Sequence, residues 1–102
     1  MFTGIVETIG IVKEIKQEGS NKIFFVESVI SPSLKIDQSV SHNGVCLTVV
    51  DVKQNLHSVI AVDETLKKTN LHNWKVGDKI NLERSMKLNS LVDGHLVQGH
   101  VD

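Results

Sequence analysis

The sequence predicts an all-β fold, a six-stranded antiparallel Greek-key barrel with one or two short helices, and three observations lead there. Short stretches rich in Val, Ile and Phe recur along the whole chain, each bounded by Gly, Asn, Asp or Ser clusters. Within them apolar residues alternate with period two, the repeat of a strand, and seldom with the helical repeat. No long helical segment separates successive strand candidates, so the βαβ rhythm of a parallel sheet is absent. At 102 residues the chain fits a single domain, 1–102, able to bury about two-thirds of its unfolded surface.

The first strand candidate is TGIVETIGIVKEI at 3–15. It sets Ile5, Ile9, Ile11 and Ile15 on one face and Val6, Thr8, Val12 and Glu14 on the other. QEGSN at 17–21 is a turn, and KIFFVESV at 22–29, with its β-branched and aromatic residues, completes a hairpin. Ser31 before Pro32, the only proline, predicts a short capped helix over 31–36. In SVSHNGVCLTVVDV at 39–52 the Asn43-Gly44 pair is the clearest turn signal, and Val45 to Val52 continues as a strand apolar on both faces, as expected of one lining a barrel or pocket. HSVIAV at 57–62 is the fourth strand. DETLKKTN at 63–70 predicts a short helix with Asp63 as its cap, Glu64 in the first turn and Lys67 and Lys68 in the last. KVGD at 75–78 turns the chain into the strand KINLER at 79–84, and a polar stretch leads to the closing strand GHLVQGHVD at 94–102.

Composition narrows the function classes. Eleven Lys and Arg against twelve Asp and Glu give a formal net charge of -1, so neither nucleic acid nor an anionic membrane is an expected partner. The single cysteine, Cys46, rules out an intrachain disulfide and fits a reducing cytoplasm. Glu7 occupies the N-terminal stretch where a basic signal-peptide region would lie, and no apolar run approaches the ~18 residues of a membrane span. The expected protein is therefore soluble and cytoplasmic.

No P-loop, dinucleotide fingerprint, nucleophile elbow or zinc motif occurs. His95 and His100 are five apart, a spacing that on strand or helix sends their rings to different sides. One structural and one pocket-facing histidine is thus the better reading than a metal pair. Cys46, between Val45 and Leu47, is expected as a small apolar core residue without an activating charge nearby. His42, His57 and His72 lie beside turns and are expected to be solvated. Asp63, Glu64 and Thr65 form either a plain helix start or one whose backbone N–H groups meet a ligand. Trp74, the only tryptophan, is expected as a packing lid. With so few aromatics, a planar ligand would be held by aliphatic walls and backbone hydrogen bonds.

Four stretches in this order resemble the riboflavin synthase alpha chain: MFTGIVE at 1–7, SVSHNGVCLTV at 39–49, ETLKKTNL at 64–71, and VGDKINLERSMK followed by GHLVQGHVD. The resemblance covers essentially all 102 residues. It departs in two ways. Enzymes of the family are about twice as long, two similar barrels in tandem, so the chain resembles the N-terminal barrel alone; and His72-Asn73 stands where the family often has a glycine.

The resemblance implies binding of 6,7-dimethyl-8-ribityllumazine. Two such molecules are converted to riboflavin and a pyrimidinedione by transfer of a four-carbon unit, with no metal or organic cofactor. In the family the reaction site forms between the N-terminal barrel of one subunit and the C-terminal barrel of its neighbour in a homotrimer. Carried over by motif, the substrate-binding positions are Gly4, Ile5, Val6, Cys46, Leu47, Thr48, Ile60, Ala61, Val62, Asp63, Glu64, Thr65, Gly99, His100 and Val101. His100, Ser39 and Phe2 are implied nearest the chemistry. A barrel lacking its tandem partner is expected to self-pair as a homodimer with very low turnover. A lumazine- or flavin-binding antenna protein that holds its ligand without reacting it, and an interaction domain with no ligand, are the competing readings.

Overall fold

A computed structural model describes residues 4–84 together with the backbone of two short strands, Leu91–Val92 and His95–Leu96. In chain order the strands are β1 (Thr8–Glu18), β2 (Asn21–Glu27), β3 (Ser39–His42), β4 (Val45–Lys53), β5 (Leu56–Ala61), β6 (Lys79–Arg84), β7 (Leu91–Val92) and β8 (His95–Leu96). A helix, α1 (Asp63–Lys68), and 3₁₀ turns at Ser31–Ser33 and Leu71–Asn73 join them. Strands β1 to β6 close an antiparallel barrel in the order β1-β2-β5-β4-β3-β6, with β6 returning to β1. The chain thus leaves β2, builds β3 and β4, and only then lays β5 beside β2, a Greek-key path.

The number of barrel strands matches the sequence reading, but the strands are not the same six. Ser39–His42, read there only as the approach to the Asn43-Gly44 turn, is a strand that bridges β4 and β6. Most of the closing segment 94–102 lies outside the described residues, and its described part, β8, pairs with β7 in a separate two-stranded sheet. Strand β1 begins at Thr8 and not at Thr3. Its inward positions are Gly10 and Val12, while Ile9 stays exposed. A bulge between Val12 and Glu14 then reverses the alternation, and the half-buried Ile15 packs on the core. Both faces of this strand are apolar, so alternation could not choose between them.

The caps differ too. Ile30, not Ser31, is the N-cap of the first 3₁₀ turn, which ends at Ser33. Val62 caps α1 without a side-chain bond, and Asp63 lies inside the first turn. There it receives Lys67 at 3.1 Å while Glu64 receives Lys68 at 2.8 Å, pairs at the spacing that supports a short helix. The backbone N–H of Asp63 is held by Asn21 Oδ1 at 3.1 Å, which ties the helix start to the β1–β2 turn.

Phe24, Val26, Val40, Leu47, Val49, Val59, Ile80 and Leu82 fill the barrel, and Ile30, Leu34, Leu66 and Leu71 from the connecting segments join the same core. Trp74 packs edge-on against Phe24 with centroids 4.9 Å apart, the packing role expected of it.

The core also contains a polar bridge that corrects the expectation for two histidines. His42 and His57 are not solvated; they are 0% and 1% exposed. They come from β3 and β5, which are not neighbours in the ladder, and their Nε2 atoms meet at 3.0 Å. His42 Nδ1–H donates to the Val40 carbonyl at 3.0 Å, so its bare Nε2 accepts from His57 Nε2–H. His57 Nδ1 then accepts from the Ser31 hydroxyl at 2.7 Å, and Ser31 Oγ accepts from the Ser28 hydroxyl at 2.8 Å. One direction of donation satisfies the whole chain with both rings neutral. Burial pushes His42 down to about 4, against the opposing bond to Val40, and burial followed by the nearness of His42 pushes His57 down to about 3. Among the described residues no buried side-chain nitrogen or oxygen lacks a partner.

Candidate functional site

Apart from Leu47 and Ala61, the candidate site residues that are described gather on the outside of the barrel. Along β4, Leu47 and Val49 point inward, so Cys46, Thr48 and Val50 point out. Antiparallel register extends Thr48 sideways to Ser39 on β3, to Ile60 on β5, and through Ile60 to Ile23 on β2. The row therefore offers two hydroxyls flanked by two half-buried isoleucines. Cys46 lies two residues along the same face and pairs with Ser41. It is exposed, against the expectation of a core cysteine, because the odd-numbered residues of β4 already occupy the interior. On the β5 side Val62, also exposed, continues the face into Asp63, Glu64 and Thr65 of α1. The side chains of Leu47 and Ala61 belong to the core.

The other end of the face is made by the N-terminal segment. Gly4 and Val6 line an open cleft of about 220 Å³ with Ser41, Asn43, Gly44, Asn81, Leu82 and Glu83. Ser41 links the cleft to Cys46 and so to the Thr48 row. Ile5 and Val6 remain 71% and 49% exposed although they are apolar. The segment has no regular structure, yet Glu7 N–H bonds the Leu82 carbonyl at 2.8 Å and Gly4 N–H bonds the Glu83 carboxylate at 3.1 Å. The Glu7 carboxylate grips Arg84 through its backbone N–H and its guanidinium, an interaction that draws the Glu7 carboxyl below its usual range. Phe2, Gly99, His100 and Val101 lie outside the described residues.

Two features of the face had no counterpart in the sequence reading. Ser41 was hidden because β3 was not recognised as a strand. The Asn43-Gly44 pair was read as a turn only, whereas Asn43 also bonds Asn81 through its backbone N–H at 2.8 Å and its Oδ1 at 2.7 Å, forming a wall of the cleft. Chemically, the face combines exposed aliphatic groups with a few hydroxyls, so it can offer apolar contact and hydrogen bonds side by side. No group of three or more His, Cys, Asp or Glu able to hold a metal exists among the described residues, nor is any helix there long and apolar enough to cross a membrane.

The family model for the lumazine binding domain matches residues 3–85. The chain belongs to the lumazine-binding domain family. It is 41% identical, over its full length, to riboflavin synthase of Bacillus amyloliquefaciens, covering 48% of that protein, and 41% identical to that of Schizosaccharomyces pombe, covering 50%. It thus spans about half the length of the curated relatives it matches. Among solved structures it resembles LumP complexed with 6,7-dimethyl-8-(1'-D-ribityl) lumazine, at 28% identity and a TM-score of 0.79, over 97% of this chain and 56% of LumP. It also resembles LumP complexed with riboflavin, at 27% identity and a TM-score of 0.80, over 100% of this chain and 56% of LumP. This lumazine-binding domain is homologous to one part of a riboflavin synthase, as its motifs suggested.

Proposed function

We propose that the chain is the N-terminal half of a riboflavin synthase and that it binds one 6,7-dimethyl-8-ribityllumazine, or riboflavin, on the outer face of β3, β4 and β5. The observation that carries the reading is full-length similarity to about half of a riboflavin synthase in a barrel that superposes on LumP. Cys46, Thr48, Ile60 and the Val62–Thr65 segment would meet the heterocycle and its ribityl arm along the sheet face, with Gly4, Ile5 and Val6 at its other end. Gly99, His100 and Val101 would complete the site.

Catalysis then needs a second lumazine from another barrel. Transfer of a four-carbon unit between two identical molecules yields riboflavin and a pyrimidinedione, and all atoms are conserved between them. No redox partner is required. The 7-methyl anion of lumazine is delocalised over the ring, so the protein's main task is to hold two rings in register. His100 is the proposed acid-base group, since imidazole titrates near neutrality. Ser39, beside Thr48, would hydrogen-bond to it or to the second substrate, with Phe2 nearby. The full-length enzyme would be a homotrimer, and this barrel taken by itself a homodimer of very low turnover, since one barrel supplies one half of the reaction site. A cytoplasmic location fits the free, exposed Cys46.

The LumP similarity favours a second reading, an antenna barrel that keeps its ligand unreacted. Titrating the chain with the lumazine and with riboflavin while following ligand fluorescence tests binding; no saturable change at micromolar protein defeats both readings. Sedimentation in the same samples tests self-pairing. Turnover by the longer protein containing this barrel separates enzyme from antenna.

A further inference from the structure

The segment before β1 is apolar, exposed and without regular structure, yet it is fastened at both ends to one strand. At its start, Gly4 N–H lies 3.1 Å from both oxygens of Glu83. At its end, Glu7 Oε1 accepts from Arg84 N–H at 3.2 Å and from Arg84 Nε at 3.1 Å, and Glu7 Oε2 accepts from Nε at 2.9 Å and from the terminal nitrogen Nη2. Arg84 is itself steadied by Ser33 Oγ at 3.1 Å from its other terminal nitrogen. Gly4 has φ of +82°, a left-handed conformation that lets its N–H turn to Glu83. Surface ion pairs usually add little to stability. Two adjacent acid and base residues spent on a segment that buries so little point to the geometry of Ile5 and Val6 as what is being held.

We propose that Glu83 and Arg84 of β6 are positioning residues: through Gly4 and Glu7 they fix Ile5 and Val6 in the conformation that receives the ligand, so that binding need not order the segment. The inference rests on the proposed lumazine site. An unfastened segment would have to lose backbone freedom at the moment of binding, and that cost would appear directly in affinity. Arg and Lys are not equivalent here, because only the planar fork can donate to both oxygens of Glu7 while also reaching Ser33.

The test is a fluorescence titration of the full chain with 6,7-dimethyl-8-ribityllumazine, run with thermal unfolding of each variant. Arg84→Ala and Glu83→Ala are expected to raise Kd about tenfold, with unfolding temperatures close to that of the parent. Arg84→Lys is expected to fall between Arg84→Ala and the parent. On an Ile5→Ala/Val6→Ala background, Arg84→Ala is expected to add little further loss, because the contacts it presents are already gone. Full additivity, unchanged affinity in the single variants, or complete rescue by lysine would overturn the clamp. If the parent chain itself fails to bind, the lumazine site falls first, and limited proteolysis still tests the fastening: cleavage within residues 4–7 should accelerate in Arg84→Ala, and equal rates would reject it.

Discussion

Thr48 is a surface residue whose hydroxyl stands between Ser39 and Ile60 in the outer row, with no role in filling the barrel. Thr48→Val keeps the branched shape that suits a strand and removes one polar contact, worth about 1 kcal/mol or roughly a fivefold change in Kd. Lumazine affinity should fall by that factor with the unfolding temperature unchanged; equal affinity would take Thr48 out of the site. As a candidate site position this residue was legible through the family resemblance of the NGVCLTV stretch and not through alternation, because the run Val45–Val52 is apolar on both faces. The burial of His42 and His57 was not. Both stand beside turns in the chain, and each is kept dry by a ring from a strand that sequence spacing cannot pair with it. Cys46 failed for the opposite reason: a run apolar on both faces does not say which face is inside.

At the scale of elements, β1 shows where pattern reading reaches its limit. Gly10 looked like one more residue in an apolar run, but a Cβ built there would come 2.5 Å from Val26 Cγ1 and 2.9 Å from Leu82 Cδ1. Those atoms belong to β2 and β6, the two strands between which β1 closes the barrel. Gly10→Ala should therefore cost about 1–3 kcal/mol through overpacking, seen as a lower urea midpoint with the same slope, and an unchanged midpoint would show that the seam can relax. Hairpin β1–β2, strands β4, β5 and β6, and helix α1 were readable because each carries its own local signal. Strand β3 was not, since its inward residues are Val40 and His42 and the histidine becomes core material only when His57 meets it. The bulge after Val12 likewise depends on pairing with β2 and leaves no mark in composition.

For the whole molecule, the histidine bridge makes barrel stability depend on pH. In the unfolded chain each ring titrates near 6.5, whereas in the barrel His42 is held down to about 4 and His57 to about 3. Between those values the unfolded state binds protons that the folded state refuses, so stability is fully present above pH 6.5 and is lost as pH falls. From pH 7 to pH 5 the two groups together should remove about 3–4 kcal/mol, a large share of the ~5–15 kcal/mol typical of such domains. The Glu7 carboxyl, lowered by Arg84, acts in the same direction but mainly below its ordinary value of 4.5, so it adds little to the loss between pH 6.5 and 5. Urea midpoints measured across this range should drop steeply between pH 6.5 and 5. In His42→Val/His57→Val, which removes both partners and leaves no orphaned ring, the slope over that interval should nearly vanish. A parent midpoint that falls only about half as far from pH 7 to 5 would mean that the bridge accepts one proton without opening, with the Ser31 hydroxyl turning toward the Val26 carbonyl, 3.4 Å away, to receive it from His57 Nδ1, and a flat midpoint would reject the bridge as a source of pH dependence.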